Sequence, residues 1–210
     1  MMNLQDFYYE LSKAFPYIEK KWGMQNNYLD FKTNFIYNVY YFDELISLCK
    51  DRCLDTTYVI HRWYNYHTSI ACENFFIQYG CEHEKDLKNK FIDIYFKDIP
   101  YDVKLTVYPK AFESGVNLDT REGKDKLIRW LYKHQSQQGR KHLANRLFIV
   151  CESISGDYNE SLKLKANFQL LNEKIRNFVM YYSNRDLHTI EIEDFGNVYE
   201  VYSDIILIKG

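Results

Sequence analysis

The hydrophobic period of this chain changes after Gly80, and that change limits the folds open to it. Before Gly80, apolar residues recur at steps of three and four: Phe31, Phe35, Val39, Phe42 and Ile46 within Leu29 to Cys49, then Val59, Trp63, Tyr66, Ile70 and Ile77 within Asp55 to Tyr79. Both patterns predict core-facing helices. Asp55 or Thr56 is available as the N-cap of the second, and Gly80 as its stop. A shorter amphipathic helix is expected over Leu4 to Phe15, ending near Pro16. After Gly80 the period shortens. Phe91 to Phe96 and Ile99 to Tyr108 are short, β-branched and aromatic, which predicts two strands joined by a tight turn at Lys97 and Asp98, with Pro109 closing the second.

The rest of the chain alternates the two kinds of element. A helix is expected from Asp119 or Thr120 through Trp130 and Leu131, breaking at Gly139; Asp119 and Glu122 have the spacing of a capping box. Leu147 to Cys151 is an apolar run suited to an interior strand, and Ser153 to Asn159 is a polar loop. Glu160 to Tyr181 carries Leu164, Phe168, Leu171, Ile175 and Phe178 on one helical face. Thr189 to Glu193 and Val198 to Lys209 read as strands around a turn at Gly196 and Asn197. This order predicts an α/β fold, a mixed central β-sheet flanked by helices, with a helical N-terminal part. At 210 residues the chain is expected to form a single domain over 1–210.

With 46% hydrophobic, 18% aromatic and 27% charged residues and only 3 Pro, a disordered or fibrous chain is excluded. Cys49, Cys53, Cys72, Cys81 and Cys151 are odd in number and lack a metal-knuckle spacing, so they read as free thiols in a reducing cytoplasm. The first residues do not read as a positively charged leader followed by an apolar run, and no stretch approaches the ~18 apolar residues of a membrane span. A cytoplasmic protein with no membrane contact is the expectation.

The chemistry concentrates on the predicted hairpin. Side chains alternate along a strand, so Asp102, Lys104 and Thr106 share one face while Tyr101, Val103, Leu105 and Val107 share the other. A two-residue turn sets Phe96 opposite Ile99, Asp93 opposite Asp102 and Phe91 opposite Lys104. Two like charges facing each other across strands are unfavourable without compensation. A hard divalent cation compensates them, since Mg²⁺ and Mn²⁺ take oxygen ligands. Lys104 on the same face can bind a phosphate or orient the attacking water. Glu73 occupies one position of the apolar stripe of the preceding helix, and a buried carboxylate there needs a partner or a metal. A solvated strand face with one ion pair accounts for Asp102 and Lys104 alone; Asp93 and Glu73 raise the claim to a four-residue site.

Ile99-Pro100-Tyr101-Asp102-Val103-Lys104 resembles the second half of the signature of the PD-(D/E)xK nuclease superfamily, which has the restriction-endonuclease-like fold. Asp93 matches its first acid, Asp102 and Lys104 its acid-x-Lys element, and Glu73 its helical Glu. The resemblance covers about 55–151, as a nuclease-like core with a helical N-terminal and an α+β C-terminal addition. Phe91-Ile92-Asp93 lacks the Pro that names the first motif, and no first strand of the three-stranded meander is evident between Gly80 and Lys90. The resemblance implies an α-β-β-β-α-β core and Mg²⁺-dependent, Mn²⁺-compatible endonuclease hydrolysis of DNA phosphodiesters without a covalent intermediate. Asp93, Asp102, the Val103 carbonyl and Glu73 are the implied metal ligands, with Glu73, Asp93, Asp102 and Lys104 as the catalytic set. The superfamily also includes members that have lost catalysis and a few that act on RNA.

The expected nucleic-acid contacts follow the hairpin. Positions 121, 124, 126, 129, 133, 140, 141 and 146 are Lys or Arg against two acids, Glu122 and Asp125, a local charge of +6 that leaves −8 for the rest of a chain totalling −2. Arg121, Lys124, Arg129, Lys133, Gln138, Arg140 and Lys141 are the candidates for a phosphate backbone. A charged solvent face of a helix is the plainer account. His61, His67 and His83 form no zinc spacing and read as polar or surface groups. The competing function is a noncatalytic nucleic-acid- or protein-binding domain that keeps the fold. The 20 Tyr also suit a structural role in an assembly, a homodimer included.

Overall fold

The computed structural model describes residues 3–20, 26–86, 89, 91–135, 145–182, 188–194 and 196–210. Among them, six strands form one mixed sheet: β1 (Glu82–His83), β2 (Ile94–Phe96), β3 (Ile99–Val107), β4 (Arg146–Glu152), β5 (Thr189–Asp194) and β6 (Asn197–Lys209). Their spatial order is β1-β2-β3-β4-β6-β5. β1, β2 and β3 make an antiparallel meander, β4 lies parallel to β3, and β6 lies parallel to β4. The helices are α1 (Leu4–Ser12), α2 (Phe15–Ile18), α3 (Asn27–Lys32), α4 (Phe42–Asp51), α5 (Thr56–Gln78), α6 (Arg121–Gln135), α7 (Tyr158–Leu164) and α8 (Phe168–Tyr181). None of them is long and apolar enough to cross a membrane.

Alternation along the parallel strands produces two cores. Val103 and Val107 of β3, Leu147, Ile149 and Cys151 of β4, and Ile206 and Ile208 of β6 face one core with α5 and α8. Phe148 and Val150, with Ile205 of β6 and Ile190 and Ile192 of β5, face the other, which Leu127, Ile128 and Leu131 of α6 close. β4 is therefore buried on both faces, as its uninterrupted apolar run predicts.

The hairpin turns where expected. Lys97 and Asp98 both take positive φ, 53° and 64°, as a two-residue turn of the primed kind requires, and Phe96 pairs with Ile99. The preceding strand is shorter than expected, because regular pairing stops at Ile94. Asp93 lies in a bend, its N–H bonded to the Tyr101 carbonyl at 2.9 Å and its carboxylate to the Val103 N–H at 2.7 Å. The side chain thus takes a backbone donor that a longer ladder would use, and the expected pairing of Phe91 with Lys104 is not made. The strand missing from the sequence reading is β1, two residues long and too short to leave a periodic signal.

Several helices are divided where apolar period alone predicts continuity. Leu29 to Cys49 is not one helix: α3 and α4 are separated by a 3₁₀ turn at Asn34–Asn38 and extended residues, and Phe31 is left largely exposed. Side chains of α5 satisfy the interrupted backbone. Arg62 donates to the Asp30 carbonyl at 2.8 Å, Trp63 Nε1 to the Val39 carbonyl at 2.6 Å, and His67 Nε2 lies 3.1 Å from the Ile36 carbonyl. Pro16 begins α2 rather than ending α1, consistent with proline at a first helical turn. Glu160 to Tyr181 is two helices, with Asn167 capping α8 through the Leu170 N–H.

α5 matches its expected bounds, capped by Asp55 through the Tyr58 N–H. Its burial is wider than one stripe. Ile60, Tyr64, Cys72 and Phe76 are buried along with Val59 and Trp63, while Tyr66, Ile70 and Ile77 are only half-buried. The helix lies between the sheet and the N-terminal helices, so more than one face is covered.

The start of α6 depends on a glycine. Thr120, not the Asp119–Glu122 capping box, caps the helix, accepting the Gly123 N–H at 3.1 Å. A Cβ on Gly123 would sit 1.9 Å from the Asn117 carbonyl oxygen. Gly123→Ala is expected to destabilise the fold by about 2 kcal/mol or more, as overpacking against backbone does, read from the urea midpoint. An unchanged midpoint would contradict this close approach.

Candidate active site

Three elements bring acidic side chains within electrostatic reach of Asp102, although α5 packs on the face of β3 that carries Val103. The first is α5, which brings Glu73, a carboxylate only 9% exposed. Burial raises it from 4.5 to about 8, the neighbouring Asp93 and Asp102 add to the rise, and Lys104 opposes it. His83 of β1 lies beside it, Nε2 to Oε2 at 3.8 Å, with Nδ1 bonded to the Glu84 carbonyl at 2.7 Å.

The bend ahead of β2 brings Asp93. Burial pushes its carboxyl up, Lys104 pulls it down, and a hydrogen bond with the Asp102 side chain pushes it up again. The pair expected from the register is thus formed, though from a bend rather than a ladder. The Val103 N–H points at Asp93, so the Val103 carbonyl leaves β3 on the same side.

β3 itself brings Asp102 and Lys104. Asp102 is 7% exposed and both of its oxygens have cationic partners. Lys104 bonds Oδ1, and Arg146 Nε bonds Oδ2 at 3.1 Å. Arg146 stands opposite Asp102 on the parallel strand β4, and its guanidinium lies 4.9 Å over the Tyr132 ring of α6. Asn145 fixes the level of these residues by accepting the Asp102 N–H and the Tyr202 N–H at 3.0 and 2.9 Å.

Arg146 is the functional candidate that sequence reasoning missed. Counting it within a basic segment treated it as surface charge, yet it is 6% exposed. The signal was its position as the first residue of an interior apolar strand, where a cation needs a buried partner. Among the described residues of the basic segment, three more cations have partners within the chain. Lys124 bonds Asp204 at 2.8 Å, Lys126 pairs with Glu122, and Arg129 donates to the Glu191 carbonyl. Arg121 and Lys133 are exposed, whereas Gln138, Arg140 and Lys141 lie outside the described residues.

The histidines also differ from expectation. His61 and His67 are buried, not on the surface, and Nε2 of each lies 2.9 Å from a backbone carbonyl, of Lys20 and Val39 respectively. His188 forms a second charged cluster with Asp125, bonded to its Nε2, and Asp204, 3.7 Å from its Nδ1. Asp204 raises the His188 pKa above 6.5, against burial, with Asp125 adding to the rise. A raised imidazolium stabilises the fold fully below 6.5 and loses that contribution as pH rises through its folded value. His188→Gln is therefore expected to cost about 2 kcal/mol at acidic pH and less under alkaline conditions, measured by urea unfolding at both. A pH-independent loss would contradict the ion pair. The five cysteines carry free thiols, all buried except Cys53.

No family model, curated protein or solved structure matches this chain. The site must be judged on its own chemistry. Among the described residues, no three His, Cys, Asp or Glu side chains are grouped as a ready-made metal cage. The donor set nevertheless suits a hard divalent cation: the neighbouring carboxylates of Asp93 and Asp102 and a strand carbonyl on the Asp93 side, with the buried Glu73 carboxyl within electrostatic reach. Burial without such a cation drives Glu73 and Asp93 toward their protonated forms, which is the cost a metal would remove.

Proposed function

We propose that this protein is a metal-dependent nuclease that hydrolyses phosphodiester bonds, with DNA as its substrate. The reading is carried by the convergence of Glu73, Asp93, Asp102 and Lys104 from α5, the bend ahead of β2, and β3. Two like charges brought together in a buried site are costly, and they cluster where a cation or a reaction uses them. The run α5-β1-β2-β3-α6-β4, with an antiparallel meander and β4 parallel to β3, supports the resemblance to the PD-(D/E)xK nucleases and their restriction-endonuclease-like fold.

Asp93, Asp102, the Val103 carbonyl and Glu73 would hold Mg²⁺ or Mn²⁺. Such an ion supplies Lewis acidity toward the phosphate and lowers the pKa of water. Lys104, with its side chain 43% exposed, has the reach to leave Asp102 and bind a phosphate oxygen or orient the attacking water. Glu73, near 8, can exchange a proton at neutral pH, the range in which general acid–base groups act. Arg121 and Lys133 remain as exposed cations of α6 for the phosphate backbone.

The test is incubation of the full chain with plasmid, linear duplex, single-stranded DNA and RNA in the presence of Mg²⁺ or Mn²⁺. Cleavage that requires the ion and is lost in Lys104→Met supports the nuclease. A noncatalytic binding domain is favoured by one observation, that both Asp102 oxygens already have cationic partners. Nucleic-acid binding without cleavage, and without calorimetric uptake of either ion, would select it.

A further inference from the structure

Asp102 is gripped at both oxygens by cations of the chain itself, and the two grips are unequal. The Lys104 side chain is 43% exposed and has four rotatable carbons between backbone and amine, whereas the Arg146 side chain is 7% exposed. Contacts on several sides hold Arg146 in place. Its Nε bonds Asp102 Oδ2, its guanidinium lies over Tyr132, and its carbonyl accepts the Ser203 hydroxyl at 2.9 Å. A cation entering beside Asp93 can displace Lys104 from Oδ1 into solvent. Displacing Arg146 from Oδ2 would break an ion pair between two side chains that are each less than a tenth exposed, which costs several kcal/mol.

We propose that Arg146 is a positioning residue that keeps Asp102 a one-oxygen ligand, so that the site takes Mg²⁺ or Mn²⁺ and discriminates against Ca²⁺. The inference rests on the reading of Asp93 and Asp102 as metal ligands. Ca²⁺ takes six to eight oxygens and commonly uses both oxygens of a carboxylate. Mg²⁺ binds six in octahedral geometry and keeps several waters, so one oxygen from each carboxylate suffices. With Oδ2 committed to Arg146, the seven- or eight-oxygen shell of Ca²⁺ loses a donor that Mg²⁺ does not need.

Binding of Mg²⁺, Mn²⁺ and Ca²⁺ to the full chain without substrate tests this by titration calorimetry on wild type, Arg146→Gln and Asp102→Asn. Removing a buried positive charge is expected to tighten every divalent ion, so the ratio is the informative quantity. The Ca²⁺ to Mg²⁺ ratio of dissociation constants should fall by about tenfold or more in Arg146→Gln, the size typical of groups that orient metal ligands. An unchanged ratio in a folded variant would make Arg146 a structural counter-ion only and overturn the proposal. A second measurement needs no Arg146 variant. In infrared difference spectra of Mg²⁺-loaded wild type labelled with ¹³C-carboxyl aspartate, the bands lost in Asp102→Asn should show the wide splitting of a one-oxygen ligand, and a narrow two-oxygen splitting overturns it. If wild type binds no divalent ion through its carboxylates, the metal reading itself fails and takes this inference with it.

Discussion

Asp102→Asn is expected to abolish the proposed ion-dependent cleavage, lowering the rate by at least about 10³-fold, because it removes a charge that would hold the metal and that pairs with Lys104. Asn is the informative replacement. Asp102→Ala would leave Arg146 buried without its carboxylate, and breaking such a pair costs about 3–5 kcal/mol, enough to confuse unfolding with lost chemistry. Asn keeps a hydrogen-bond acceptor for Arg146 Nε. Lys104→Met supplies the complementary measurement, since a half-exposed lysine contributes little stability and its loss should leave the thermal midpoint within a few degrees. Retained cleavage in Asp102→Asn would exclude this site.

The second large effect is on stability. Glu73→Gln is expected to stabilise the metal-free protein by about 3–4 kcal/mol at pH 8 and to have almost no effect at pH 4. The folded carboxyl titrates near 8 against 4.5 for an ordinary glutamate, so between those values the folded protein binds more protons than the unfolded chain. Stability must then fall as pH rises from 4.5 through 8. A neutral amide of the same shape removes that slope. Asp93, also raised, adds to the fall in the parent protein. Urea unfolding across this range reads the difference directly, and parallel stability curves for the two proteins would refute the burial of an ionisable Glu73. Saturating Mg²⁺ should shrink the gap, because an ion bound only by the folded state restores the ionised carboxylates.

A stabilising substitution at Glu73 is what the proposed reactive site should allow. Charges held together in a buried site oppose folding, and removing one relieves the fold at the cost of whatever chemistry the charge serves. The same logic separates Glu73 from Asp204. Lys124 and His188 hold the Asp204 carboxyl below its usual value despite burial. Removing that charge should destabilise, as at an ordinary structural ion pair.

Alternation and periodicity made much of this protein legible in its residues. The span of α5, the two-residue turn at Lys97 and Asp98, the interior strand β4 and the C-terminal hairpin of β5 and β6 follow from local pattern, because each depends on neighbours a few residues away. The nearness of Asp93 to Asp102 also follows, since a turn of known length sets the register up to Ile94, although the Asp93 side chain turns to the Val103 amide. Where period failed, a distant side chain had intervened. Arg62 satisfies a carbonyl in the last turn of α3, Trp63 and His67 satisfy carbonyls between α3 and α4, and the Asp93 carboxylate takes the Val103 amide that a longer strand would have paired.

Sequence by itself determined the α/β character, the phase of Asp102 and Lys104, and the presence of an acid within the burial pattern of α5. Only the tertiary structure decided that Arg146 is a buried partner of Asp102 and that three cations of the basic helix have partners within the chain. The physical reason is that phase along one strand is a local property. Which charge lies opposite depends on the crossover that sets β4 parallel to β3, a pairing between residues 44 positions apart.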